Sequence, residues 1–142
     1  MIKNRKAYYE YFVENEYVAG IKLVGSEIKS IRSGKANLSD SFCSFNGDEL
    51  FLINSYIEEY EFANQFNHDP NRPKKLLLTK KELKKLKVKI TEKGLTIIPL
   101  NMFINKQGLC KVTICVARGK HMYDKRETIK TREVKRDLER NL

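Results

Sequence analysis

The run Leu95-Thr96-Ile97-Ile98-Pro99-Leu100-Asn101-Met102-Phe103-Ile104, then Asn105-Lys106-Gln107-Gly108, then Leu109-Cys110-Lys111-Val112-Thr113-Ile114-Cys115-Val116-Ala117 sets the architecture. Two apolar segments of strand length flank a short polar turn with glycine, the pattern of a β-hairpin. In the return segment Val112, Ile114 and Val116 share one face, and Lys111, Thr113 and Cys115 the other. Side chains alternate in that way only on an extended chain. Outward from this hairpin, Phe42 to Phe45 and Glu49 to Asn54 flank Asn46-Gly47-Asp48. Asn and Gly accept positive φ at little cost, so this is a second hairpin. Tyr8 to Val18 reads as a strand, with Tyr9, Tyr11 and Val13 alternating against Glu10, Phe12 and Glu14. Extended structure resumes at Ile21 to Val24 after Ala19-Gly20, and Tyr56 to Phe62 is a further candidate strand. Val24, Ile28 and Ile31 at helical spacing, with Gly34 as a stop, predict a helix from Ser26 to Ser33. Asn67 to Pro73 is a loop, because its prolines remove donors and bias their predecessors away from helix. Thr79-Lys80-Lys81-Glu82 is a capping box with Leu78 and Leu83 at staple positions, and Leu83 and Leu86 face inward. The expected fold is mainly β: a single-domain, OB-like closed antiparallel barrel of about six strands with two or three flanking helices. Residues 1–117 form the barrel, and residues 118–142 a basic C-terminal tail.

The chain has 142 residues and is 41% hydrophobic. A chain of that length buries roughly two-thirds of its unfolded surface, so a core forms without disulfide staples. No window approaches the roughly 20 apolar residues of a membrane span, and the basic N-terminus has no apolar signal core behind it. Cys43, Cys110 and Cys115 show no C-x-x-C spacing, and the only histidines are His68 and His121. A disulfide framework, a metal site and a cofactor are therefore not expected. A cytoplasmic monomer is. Charge gives the first positive indication. Lys and Arg number 28 against 18 Asp and Glu, a net of +10. Residues 1–71 carry 7 basic and 11 acidic side chains, whereas residues 72–142 carry 21 and 7. So lopsided a surface suits a polyanion, nucleic acid before membrane.

Catalytic chemistry is sparse. His68 in its loop reads as a surface side chain, His121 sits among basic residues, and Glu58, Glu59 and Glu61 read as a solvated strand face. No glycine loop of the phosphate-cradling kind is present. Nucleic-acid chemistry is better supplied. Arg72 to Lys93 holds 10 basic and 2 acidic residues, an array that on a capped helix can neutralise several phosphates. The other account of that array is a solvated helix face. Tyr8, Tyr56, Tyr60 and Tyr123 offer rings for stacking unpaired bases. Wound as a helix, the tail places Val134, Leu138 and Leu142 on one stripe and Arg132, Arg136 and Arg140 nearly opposite. An OB-type ribosomal or initiation-factor-like protein fits the same features. So, from another class, does an RNA-processing enzyme using the Asp40 or Glu58 region.

Asn4-Arg5-Lys6-Ala7, Gly25-Ser26-Glu27-Ile28-Lys29-Ser30-Ile31-Arg32-Ser33-Gly34-Lys35, Asp40-Ser41-Phe42, His68-Asp69-Pro70, Lys75-Leu76-Leu77-Leu78, Gly119-Lys120 and Asp124-Lys125-Arg126 occur in that order. Together they resemble the small protein B family, the SsrA-binding proteins, from about Asn4 to the end. The resemblance implies an adaptor rather than an enzyme. It would bind the tRNA-like domain of transfer-messenger RNA and deliver it to stalled ribosomes for trans-translation, completing a tRNA mimic. Small-subunit ribosomal RNA is then a second partner, and elongation factor Tu and alanyl-tRNA synthetase act through the RNA. It also implies that Asn4, Leu77 and Lys111 serve RNA binding, Leu77 through packing, with the basic Arg5, Lys6, Lys74 and Lys75 beside them. Gly119, Lys120, Tyr123, Asp124, Lys125 and Arg126 match positions near the decoding site. The tail, with Ile129, Lys130, Arg132, Arg136 and Arg140, would be disordered when free and helical in an empty messenger channel. Tyr123 stands where some members have histidine, which keeps a ring for stacking but no proton chemistry. Val18 stands where glutamate is frequent, so no carboxylate role transfers there.

Overall fold

The computed structural model describes residues 1–60, 67–93 and 95–120. In chain order its elements are β1 (Ile2–Lys3), α1 (Ala7–Glu10), β2 (Tyr11–Ile21), α2 (Gly25–Arg32), β3 (Ala36–Asn37), β4 (Phe42–Asn46), β5 (Glu49–Ile53), β6 (Tyr56–Ile57), β7 (Lys74–Leu77), α3 (Lys80–Lys93), β8 (Thr96–Ile104) and β9 (Cys110–Gly119). Strands β8, β4, β5, β7, β2 and β9 follow one another side by side, and β9 pairs back onto β8. All these pairings are antiparallel. The result is a closed ring of six strands, with β1 added outside β8 and β3–β6 as a small separate ladder. No helix among the described residues is long and apolar enough to cross a membrane.

The ring fills with the inward residues that alternation marks: Ala19 and Ile21, Leu50 and Leu52, Leu76, Ile97 and Met102, and Val112, Ile114 and Val116. Helix α3 closes one end. Its first turn carries the expected capping box: Glu82 N–H donates to Thr79 Oγ1 at 3.2 Å, and Thr79 N–H to Glu82 Oε1 at 3.0 Å. Leu86 is fully buried in the core, and Leu83 and Ile90 pack around it. Helix α2 contributes Ile31 to the same core. Its buried Glu27 accepts from Val24 N–H at 2.9 Å and from Arg72 Nε at 3.1 Å and Nη2 at 2.6 Å. The β4–β5 turn holds Gly47 at φ 69°, as the Asn-Gly signal predicts.

Several expectations are corrected. Tyr8 to Glu10 lie in the helical turn α1, not in a strand, because Ala7 docks against Ile98, Leu100, Cys115 and Ala117 and forms a second small core there. Cys115 therefore lies under α1 and not on an open face. Strand β2 runs unbroken through Ala19-Gly20 to Ile21, and β9 extends two residues past Ala117 to Gly119. Of the candidate strand Tyr56 to Phe62, β6 covers Tyr56–Ile57, and residues 61–62 lie outside the described residues. His68 is not a surface side chain. It is buried, with Nδ1 against Ser26 Oγ and Nε2 against the Ile57 carbonyl, each at 2.8 Å. That carbonyl can only accept, so Nε2 donates, and the ring ties the loop to α2 and β6.

Candidate nucleic-acid interface

The outer face of β8 and β9 is divided. Toward the ends nearer α1, Ala7 covers Ile98, Leu100, Cys115 and Ala117. Toward the Asn105–Gly108 turn the outward residues Phe103, Lys111 and Thr113 are half-buried. Register there sets Leu77 of β7, Gly20 of β2, Lys111 of β9 and Phe103 of β8 in one cross-strand row. The next outward row is Val18, Thr113, Asn101 and Lys3. Leu77 is 49% exposed and Val18 56% exposed, so the patch joins apolar side chains to the ammonium groups of Lys111 and Lys3. Gly20 holds its centre. A Cβ there would lie 3.3 Å from Leu77 Cβ and 3.7 Å from Lys111 Nζ. The bare glycine therefore lets the leucine and the ammonium converge over backbone. An exposed hydrophobe beside a lysine is a footprint for a sugar or base edge next to a phosphate. Gly20, Phe103 and Lys3 were not among the sequence candidates. Only the pairing register reveals them.

The other candidates separate into groups. Asn4 is buried: Nδ2 donates to the Pro99 carbonyl at 2.9 Å, and its backbone N–H to Leu100 at 2.8 Å. It holds β1 and the start of α1 against the β8 bulge, so any part it plays in RNA binding is positional. Arg5 and Lys6 follow it and are exposed. Lys75 lies on the outer face and pairs with Glu49. Lys74 departs from expectation. It points into the core, fully buried, with Nζ donating to Ser55 Oγ at 2.9 Å, and burial lowers it to about 8. It cannot meet a phosphate from there. Burial likewise raises the thiols of Cys110 to about 11 and Cys115 to about 12, and that of Cys43 upward, so none is a thiolate near neutral pH.

Gly119 and Lys120 lie at the other end of β9, beside α1. Lys120 Nζ donates to the Tyr8 carbonyl at 2.7 Å and sits 5.1 Å from the centre of the Phe12 ring. Tyr8, Tyr9 and Phe12 are exposed around it. From Lys111 to Lys120 an extended strand covers roughly 30 Å, so the two ends of β9 present separate surfaces. Tyr123, Asp124, Lys125, Arg126, Ile129, Lys130, Arg132, Arg136 and Arg140 lie outside the described residues. Tyr56 is exposed, and Lys29 Nζ approaches the Tyr60 ring at 5.4 Å.

Comparison with known proteins agrees with this geometry. The family model described as SmpB protein matches residues 1–142. The SsrA-binding protein of Christiangramia forsetii is 58% identical over 139 residues, 98% of this chain and 88% of that one. That of Flavobacterium psychrophilum is 56% identical, over 98% of this chain and 93% of its own. A solved chain from "tmRNA-SmpB: a journey to the center of the bacterial ribosome" superposes with a TM-score of 0.75 at 44% identity, covering 99% of this chain and 98% of that one. A six-stranded ring with an apolar and basic outer patch, matched over its full length at more than half identity, leaves one assignment: the chain belongs to the SmpB protein family.

Proposed function

We infer that this chain is an RNA-binding adaptor of trans-translation: it binds the tRNA-like domain of transfer-messenger RNA and delivers it to stalled ribosomes. The observation that carries this reading is the cross-strand row Leu77, Gly20, Lys111 and Phe103 on a chain similar along its whole length to SsrA-binding proteins. The chain's own residues perform no bond chemistry in this account. Lys111 and Lys3 neutralise phosphates and displace their counterions, Leu77 and Phe103 cover apolar edges, and Gly20 sets how closely the backbone approaches. Docking is therefore salt-dependent, and it is shaped by fit rather than by reading a base sequence.

The finer parts of the reading follow the same logic. The chain acts as a monomer in the cytoplasm, and elongation factor Tu and alanyl-tRNA synthetase engage the RNA it holds rather than the protein. Lys120 and Gly119, at the far end of β9, face small-subunit RNA near the decoding site, followed by Tyr123 and Asp124-Lys125-Arg126. The basic residues 121–142 act after docking, in a vacant messenger channel. Titrating the chain with the isolated tRNA-like domain and with an ordinary tRNA of equal charge, at physiological salt, tests the central statement. Markedly tighter binding of the tRNA-like domain is expected. Equal affinities would leave only a general RNA-binding protein.

A further inference from the structure

Helix α3 carries more positive charge than its own stability favours. Lys80, Lys81, Lys84 and Lys85 are exposed and make no ion pair or hydrogen bond among the described residues. Lys80 with Lys84, and Lys81 with Lys85, repel at i,i+4 spacing, and Lys80 and Lys81 oppose the helix dipole in the first turn. The nearby carboxylate, Glu82, is held by the cap on Thr79. Only further along are lysines occupied: Lys87 on Asp48 at 3.2 Å and the Gly47 carbonyl at 2.9 Å, and Lys89 on the Asn15 side chain. At about 100° per residue the free lysines lie on the side opposite Leu83, Leu86 and Ile90. Beside them runs a groove of about 280 Å³ floored by Phe45 and Leu83 and rimmed by Lys80, Lys84, Lys87 and Asp48. The Asp48 carboxylate in that rim is paired with Lys87, whose Nζ also lies 5.7 Å from the centre of the Phe45 ring.

The stripe is also continuous with the interface described above. Lys80 and Lys81 follow Leu77 by three and four residues, which the chain spans in at most about 14 Å. A charge excess that costs helix stability, with an aromatic-floored groove on its flank, points to a polyanion bearing planar apolar groups. We propose that α3 is a second contact for the same RNA that docks on the Leu77 and Lys111 row. In this contact Lys80, Lys81, Lys84 and Lys85 meet consecutive phosphates, and an unpaired base enters the Phe45 and Leu83 groove. This rests on the adaptor reading for the identity of the RNA, and on charge, groove and continuity for the contact itself.

The test uses the full chain and the combined variant K80Q/K81Q/K84Q/K85Q. Glutamine keeps helix propensity, and removing the repulsion should leave the thermal midpoint equal or higher, so weaker binding will not reflect unfolding. Affinity for the tRNA-like domain is measured across a salt series. The variant should bind about tenfold more weakly or worse, with the salt slope reduced by about 3, near 0.7 to 0.9 per lost phosphate contact. Separately, Phe45→Leu should lower affinity by about fivefold with the slope unchanged, as loss of stacking without loss of charge does. An unaltered slope in the lysine variant overturns the proposal, and unaltered affinity in Phe45→Leu overturns the base contact. A second arm measures binding to purified ribosomal subunits without other RNA, where the lysine variant should match the wild type. A loss confined to that arm would make ribosomal RNA the occupant and refute the assignment. Failure of the adaptor reading is separately visible, because the unmodified chain would then bind ordinary tRNA equally well.

Discussion

Single residues carry the sharpest consequences. At Gly20 the added methyl of Gly20→Ala meets Leu77 Cβ at 3.3 Å and narrows the approach of Lys111. RNA binding should weaken about tenfold, ~1.4 kcal/mol, while the thermal midpoint moves little; equal affinity would remove Gly20 from the interface. Lys111→Ala should lower affinity and reduce the salt slope by about one, measured on the same RNA. Lys74 makes a different prediction. Desolvation, reinforced by the Arg72 charge and opposed by Glu27 and Asp69, holds it at about 8 against an ordinary 10.5. Between those values the unfolded chain carries a proton that the folded chain lacks. Stability should therefore rise with pH across that window, by up to about 3 kcal/mol. Urea midpoints at about pH 7.5 and about pH 10 should show this rise, and Lys74→Met should lose it. Side chains of this kind were the least legible in the sequence. Lys74 stands in a run of basic residues, and only the alternation of β7 turns it inward while Lys75 turns out. Asn4 and His68 have polar names that suggest the surface, yet each is buried because specific backbone carbonyls receive its donors.

At the scale of elements, legibility follows how local the determining forces are. The β8–β9 and β4–β5 hairpins and the α3 cap are written within a few residues of themselves, and they form where the sequence places them. Helix α1 is not. Tyr8-Tyr9-Glu10 has strand composition, and the turn forms because Ala7 fits beneath it onto Ile98 and Cys115, some ninety residues and more away. Tertiary packing overrides propensity there. Helix α3 shows two contributions that can be separated by mutation. Thr79→Ala removes the acceptor for Glu82 N–H and should cost about 1 kcal/mol. Leu86→Ala empties the plug at the end of the barrel and should cost about 2–5 kcal/mol. Both are read from denaturant midpoints at unchanged slope. Equal losses would mean that the cap holds α3 as strongly as its docking does.

Across the whole molecule, the ring closes through unequal seams. Strand β9 pairs with β2 and with β8 along most of its length, whereas β4 meets β8 at the single pair Cys43–Ile97. Alternation in the sequence supplied the strands and their inward faces, but nothing local states which edges meet, so the row of Leu77, Gly20, Lys111 and Phe103 emerged only from the register. The proposed division of labour is tested at this scale. Deleting residues 127–142 should leave affinity for the tRNA-like domain nearly intact and stop peptide tagging on stalled ribosomes. Tagging that survives the deletion would place both tasks in the barrel. Because β9 is laced to a neighbour on each edge, it can neither stretch nor buckle on its own. The gap between its two working ends is thus a constant, like the jaws of a fixed gauge, and any assembly that grips both ends must offer its own two footholds at that one span.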